Sequence, residues 1–460
     1  MVQRLKTSST AEENREREEQ FCRAFEQLSS LMDWDQIERE FPTRDNAVFT
    51  NSVVLLMLLY QRMCPDKSLE ATVKKLLEIA PSVLPLHNKR LTEKTLSSNS
   101  GGYAKARKRC PLKAAKQLAT RVSQVLIDTT SSRLEGRRIY VFDGTTMKLA
   151  PEPALRRKFP PARNQFGETA FPCALLAMAF ELETGAAVLP VLGAMYGPDA
   201  VSETALVEEL FQQLPTDSVV MGDSGFGIFA VAWKAHKQRH DFVLRLTASR
   251  FQAHQKKARR VSQRGNVTSY EWTWRPSAKE RQNHPELPPE AQLDVRLYEV
   301  QISEGLCLCL VTSLTTEGAE LADLYQHRYD VEIDILNFKV ALGAETTRVK
   351  SVEMFEKELW ISVTSYNLVC QFRRAAAKQA RLPERRLSFK RVLTTFETFL
   401  LRKLFTTPGE WRRAFDQALH YAQQDKLPNR PNRHYEREAY HQRPKSAGFK
   451  KRPTKTDALL

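Results

Sequence analysis

The stretch "RRIYVFDGT" sets Ile139 and Val141 on one side of an extended chain and Tyr140 and Phe142 on the other. A strand that is apolar on both faces offers no side to water, so it belongs in the middle of a sheet covered above and below. The residues that follow supply neighbours and cover. "FPCALLAMAFEL" and "AAVLPVLGAM" read as strands, the second weakened by Pro190, and "SETALVEELFQQL" reads as a helix with Ser202 as its cap. "DSVVMGD" is a short apolar strand ending in Asp223, "IFAVAWKAHKQ" a helix, and "DFVLRLTA" a further strand. Strands interleaved with helices predict an α/β domain.

The flanking segments read differently. Residues 1–15 are polar and form a loose leader, and residues 16–133 carry apolar positions at three-and-four spacing, as in "FCRAFEQLSSLMDW", "NSVVLLMLLYQRMC" and "SLEATVKKLLEIA". This predicts a helical N-terminal domain. Within it, "SSNSGGYAKARKRCP" places Tyr103 beside Lys105, Arg107, Lys108 and Arg109, a basic helix end with an aromatic suited to the DNA backbone. The α/β pattern occupies residues 134–248 and resumes over 304–350. Between them, residues 249–303 are first basic, then Pro-rich, and end in the alternating strand "QLDVRLYEVQI", which reads as a β-rich insertion. Helices return over 351–426. Residues 427–460 are basic without apolar periodicity and are expected to be disordered, a nonspecific electrostatic arm at most.

With 42% hydrophobic residues and a mean hydropathy of −0.45, the chain has the material for a core and the polarity of a soluble protein. Its longest apolar run, Val53 to Tyr60, is too short to cross a bilayer, and its opening residues lack the apolar segment of a signal peptide. A cytoplasmic protein without a membrane partner is expected. The seven cysteines are odd in number and scattered, with no C-x-x-C pair, which argues against a disulfide framework or zinc site. A net charge of +16 and a pI near 9.5 favour a polyanionic partner, with nucleic acid the natural candidate.

Chemistry concentrates in "YQHRYDVEIDILNFK". On an ideal helix, Tyr325, Arg328, Glu332 and Lys339 fall within an arc of roughly 60°. Leu324, Val331, Ile335, Phe338 and Leu342 form an anchoring stripe beside them. Arginine and lysine bind phosphate oxygens, and a tyrosine hydroxyl donates to the same backbone. A glutamate in that company repels phosphate unless a divalent cation lies between. Two further acids qualify as its partners. Asp143 follows the doubly apolar strand and Asp223 ends "SVVMGD", each before a small Gly-bearing turn, and ligand sites in α/β sheets commonly lie at such strand ends. Adjacent strands under the quartet helix bring Asp143, Asp223 and Glu332 together, where two Mg²⁺ ions about 4 Å apart activate a water or a 3′-hydroxyl and stabilise the leaving oxygen of a phosphodiester. Positioning and charge neutralisation suffice for such phosphoryl transfer.

The Tyr-x2-Arg-x3-Glu-x6-Lys spacing resembles the signature of bacterial insertion-sequence DDE transposases, in the branch often called insertion-sequence-four. "VFDGTT" and "MGDSGFGIF" look like that branch's two aspartate motifs, in the right order, with the β-rich insertion in the second gap. Taken together, these motifs are far more specific than any one alone. The resemblance implies a ribonuclease-H-like catalytic domain interrupted by the insertion, between a helical DNA-binding domain and a helical C-terminal region. It also implies a catalytic and metal-binding triad at Asp143, Asp223 and Glu332, with two Mg²⁺ or Mn²⁺ ions. Tyr325, Arg328 and Lys339 are then expected to hold the DNA backbone near the cut end. The implied partners are double-stranded DNA, as terminal inverted repeats and target, and a second copy of the chain when assembled on DNA. Hairpin-forming relatives stack an insertion tryptophan on a flipped base, and Trp272 and Trp274 in "YEWTW" are candidates for that role. The alternatives are a metal-dependent nuclease without strand transfer and a catalytically silent DNA-binding derivative.

Overall fold

The computed structural model describes residues 34–427 except 65, 80–87, 94, 129–133, 135, 166, 346, 348 and 400–407. The leader, most of the helix expected at 21–34 and the tail beyond 427 lie outside the described residues. At the centre is a sheet built from β1 (Ile139–Lys148), β2 (Cys173–Glu181), β3 (Val191–Ala194), β4 (Val219–Gly222), β5 (Asp241–Arg245), β6 (Arg259–Arg264), β7 (Val267–Trp274), β8 (Leu293–Ser303) and β9 (Leu306–Thr312). Its nine strands run in the order β3-β2-β1-β4-β5-β9-β8-β7-β6. β4 is parallel to both β1 and β5, and the other pairings are antiparallel. The strand expected at "AAVLPVLGAM" is reduced to the four residues after Pro190, which has no N–H to offer a ladder.

Parallel neighbours require crossovers, and the interleaved helices provide them. These are α4 (Glu203–Gln212), capped by the Ser202 hydroxyl accepting from the Ala205 amide at 3.2 Å, and α5 (Phe229–Lys237). They follow the N-terminal helices α1 (Asn51–Met63), α2 (Gly101–Arg109) and α3 (Leu112–Asp128). Beyond β5 come α6 (Ala248–Gln255), α7 (Gly318–Gln326), α8 (Tyr329–Leu336) and the long α9 (Val352–Gln379). Both faces of β1 are covered, as its sequence demanded. Phe142 meets Phe211 of α4 edge-on at 5.1 Å. On the other face, Phe180, cross-strand partner of Val141, meets Tyr366 of α9 at 5.7 Å.

The structure refines the expected organisation at two points. The insertion, read only as β-rich, joins the central sheet: β6, β7 and β8 extend it through β9, which pairs with β5. The N-terminal helices are likewise not set apart. Arg62 and Arg107 both pair with Glu358 of α9, at 3.0 and 2.6 Å, and Ser123 of α3 donates to the Ala187 carbonyl at 2.8 Å. The described residues through Lys426 form one compact unit. Residue 133 therefore marks a change in sequence pattern without a break in packing. Among the described residues, no helix is long and apolar enough to cross a membrane, and the six described cysteines are free thiols.

Candidate active site

The register of β1 against β4 brings the two aspartates together. Ile139, Tyr140 and Val141 lie opposite Val219, Val220 and Met221, and the same register carried two residues further sets Asp143 opposite Asp223. Contrary to the sequence reading, β1 does not end at Asp143. It runs on to Lys148 against β2, and only its pairing with β4 stops, so the carboxylate sits where the sheet opens. Asp143 accepts from the Gly144 amide at 2.8 Å, and Asp223 accepts from the Gly225 amide at 2.8 Å in a turn of the kind aspartates favour. Burial pushes the Asp143 carboxyl up to about 6. The Gly144 amide opposes this rise, while the negative charges of Asp223 and Glu203 add to it.

Glu203, the first residue of α4, is the acid that the sequence reading missed. A β-carbon on Gly144 would lie 2.1 Å from the Glu203 carboxyl carbon, so the glycine is what admits this third carboxylate beside the aspartates. Burial, then the charge of Asp223, raises its pKa. A glutamate in the first turn of a helix is ordinary, since it complements the helix dipole. The available signal was the glycine immediately after Asp143, in a strand interior where glycine often marks a close approach.

The quartet does not lie on one ideal helix. α7 ends at Gln326, a turn at His327 and Arg328 follows, α8 covers Tyr329–Leu336, and a π-helical turn spans Asn337–Ala341. The residues still gather around the aspartates, in roles that differ from those expected. Arg328 stands between two acids, with Nη2 2.6 Å from Glu332 Oε1 and Nη1 4.0 Å from Asp143 Oδ2. Tyr325 is buried and donates to the Gly222 carbonyl at 3.3 Å. Its hydroxyl braces the strand end before Asp223, so it is not a DNA-backbone contact. The Lys339 ammonium reaches back to β1, donating to the Thr146 carbonyl at 2.8 Å and Thr145 Oγ1 at 3.2 Å. Arg250, from the start of the insertion, donates to the Ser224 and Gly227 carbonyls at 2.9 and 3.2 Å and fastens the Asp223 loop.

Among the described residues no three His, Cys, Asp or Glu side chains are gathered closely enough to hold a metal as they stand. The expected triad is therefore a pair of aspartates, with Glu332 turned to Arg328. The donor set is nonetheless that of a hard cation. It is all oxygen, and burial first, then the neighbouring charges of Asp223 and Glu203, raise Asp143, a strain that a bound cation would relieve.

The remaining DNA-contact assignments divide by burial. Lys105, Lys108 and Arg109 are exposed on α2. Tyr103 and Arg107 are buried and are not contacts, because Tyr103 packs against Phe49 and Arg107 is paired with Glu358. Trp274 is 1% exposed and packs edge-on against Phe229 at 5.6 Å, so it is a core residue and unavailable to a flipped base. Trp272 is half-buried and stacked on His254 at 4.2 Å.

A strand-borne pair of aspartates with a glutamate on a helix beyond an insertion defines a class, the DDE enzymes that cut DNA. Residues 134–368, just over half of the chain, match the family described as Transposase DDE domain, and the chain belongs to that family. It is 24% identical over 342 residues to the transposase InsG for insertion sequence element IS4 of Escherichia coli (strain K12), across 72% of this chain and 74% of the relative. Among solved structures, a piggyBac transposase synaptic complex with hairpin DNA aligns at 11% identity and a TM-score of 0.39, over 89% of this chain and 85% of that one. The chain is a DNA-cleaving DDE transposase of the IS4 kind.

Proposed function

We propose that this transposase mobilises a bacterial insertion sequence from the cytoplasm, as a homodimer on DNA that binds terminal inverted repeats, cleaves at their ends and joins them to target DNA. The carrying observation is the shared register of Asp143 and Asp223, with Arg328 and Glu332 beside Asp143. The strand order β3-β2-β1-β4-β5, with α4 and α5 in the parallel crossovers, supports reading this part as a ribonuclease-H-like domain. Asp143, Asp223 and Glu332 would hold two divalent ions, Mg²⁺ or Mn²⁺, which supply neutralisation of phosphate charge and a lowered pKa for the attacking water or 3′-hydroxyl.

The protein's own part is positioning. Arg328 occupies in free protein the gap between Asp143 and Glu332, and a phosphate of the cut end attracts its guanidinium in a bidentate fork. Its transfer to phosphate frees Glu332 to turn towards the aspartates. Two of the three Lys339 donors are directed at β1, and a neighbouring phosphate would compete with Glu345, 3.9 Å away, for the third. Exposed Lys105, Lys108 and Arg109 meet the backbone further along the duplex, and half-buried Trp272 is the tryptophan left for stacking.

A duplex carrying the element end, incubated with Mg²⁺, tests this. Wild-type protein should give cleaved and joined products, and Asp143→Asn should bind the duplex but cut it at least about 10³-fold more slowly, the scale on which lost charge stabilisation acts. Cleavage without joined product would leave a nuclease, and an active Asp143→Asn would remove this residue from the chemistry.

A further inference from the structure

The face of α8 opposite Glu332 carries a second constellation. Asp330 and Asp334 are offset by two residues, about 200°, from Arg328 and Glu332. Asp334 is fully buried, and both of its oxygens are held: Oδ2 by Arg385 Nη2 at 2.8 Å, Oδ1 by the Tyr366 hydroxyl at 3.0 Å. Arg385 Nε also reaches Asp330 Oδ2 at 3.3 Å, and the same guanidinium donates to the Leu182 carbonyl at 3.3 Å from Nη2. Leu182 in turn donates its amide to the Ile139 carbonyl, at the start of the strand that bears Asp143.

One guanidinium thus ties two carboxylates of α8, a turn apart, through Leu182 to the start of β1. Such a fork fixes both the rotation of a helix and its height. α8 needs this, because it has only eight residues, with a break before it and a π-turn after it. Arg385 lies beyond the residues that match the DDE family.

We infer that Arg385 is a positioning residue for strand cleavage: by clamping Asp330 and Asp334 it holds the opposite face of α8, which carries Glu332 and its partner Arg328, beside the aspartates. The inference rests on the assignment of Glu332 to the cleavage site. Buried ion pairs add little net stability over apolar packing of similar volume, and their better attested use is to fix one register. A clamp that only stabilises and a clamp that aims can therefore be separated.

The test replaces the clamp with apolar groups in the full chain, as Asp334→Leu with Arg385→Met and Tyr366→Phe, and in parallel makes Arg385→Lys, which keeps the charge but cannot fork. Tm, end-duplex affinity, kcat and KM are measured for each. The triple variant should melt within a few degrees of wild type and bind the duplex equally. Its kcat should fall about 100-fold with KM unchanged, the scale set by ångström-level misplacement of a catalytic group. Arg385→Lys should fall in the same sense. Wild-type kcat in a folded triple variant, or in Arg385→Lys should the triple variant not fold, overturns the inference. Glu332→Gln serves as the control: if it retains cleavage, the site assignment fails instead of the clamp.

Discussion

Asp143 carries opposing demands. Its folded pKa, about 6, lies above the roughly 3.9 of an unconstrained aspartate, so above pH 6 the folded protein holds an ionised group that it would hold more easily unfolded. The associated loss of stability is complete at pH 7.5 and is recovered as pH falls through 6 towards 4. Asp143→Asn should therefore raise the Tm in EDTA at pH 7.5, and raise it less at pH 5. Melting curves at the two pH values check this, and an equal or opposite shift would mean that ionised Asp143 is not strained by its burial. Both aspartates were legible in the sequence, because an acid closing a buried apolar run is conspicuous. Glu203 was not, since its role depends on a glycine 59 positions earlier in the chain. Tyr103, Arg107 and Tyr325 were misread for a related reason: a residue type states what a side chain is able to bind, and burial decides which partner it meets.

Element existence was more legible than element continuity. The doubly apolar β1, the strands and helices after it and α9 follow from periodicity. The break at His327 and Arg328 and the π-turn after Leu336 do not, because an unbroken apolar stripe runs through both. The sheet-extending role of the insertion also escaped notice, as strand partners are chosen by tertiary packing. Its tryptophans, two residues apart, share one face of β7 and differ in depth, Trp274 being buried and Trp272 half-buried. Trp274→Ala should destabilise the protein by about 3–5 kcal/mol through the cavity it leaves. Trp272→Ala, at a half-buried site, should cost clearly less and act chiefly on the yield of products that require an extruded base. Denaturant unfolding of both variants, together with product analysis for the second, distinguishes them. Equal destabilisation would mean that both are core residues.

At the scale of the whole molecule, the excess of 16 positive charges announced a polyanion, and the compact unit through Lys426 explains why part of that charge never reaches it. Arg62 and Arg107 lie inside and Arg385 is half-buried, and they join the N-terminal helices to α9 through Glu358 and the C-terminal region to α8 through Asp334. The segments flanking the DDE-matched residues thus brace the helices that pack around the site. The central claim remains that three distant acids hold metal together. Titration of Mn²⁺ into protein bound to an end duplex, followed by the loss of free-ion magnetic resonance signal, tests it without requiring turnover. Wild type should take up two ions per site, and Asp143→Asn, Asp223→Asn and Glu332→Gln should each lose at least one. Unchanged uptake in all three variants would contradict the assignment.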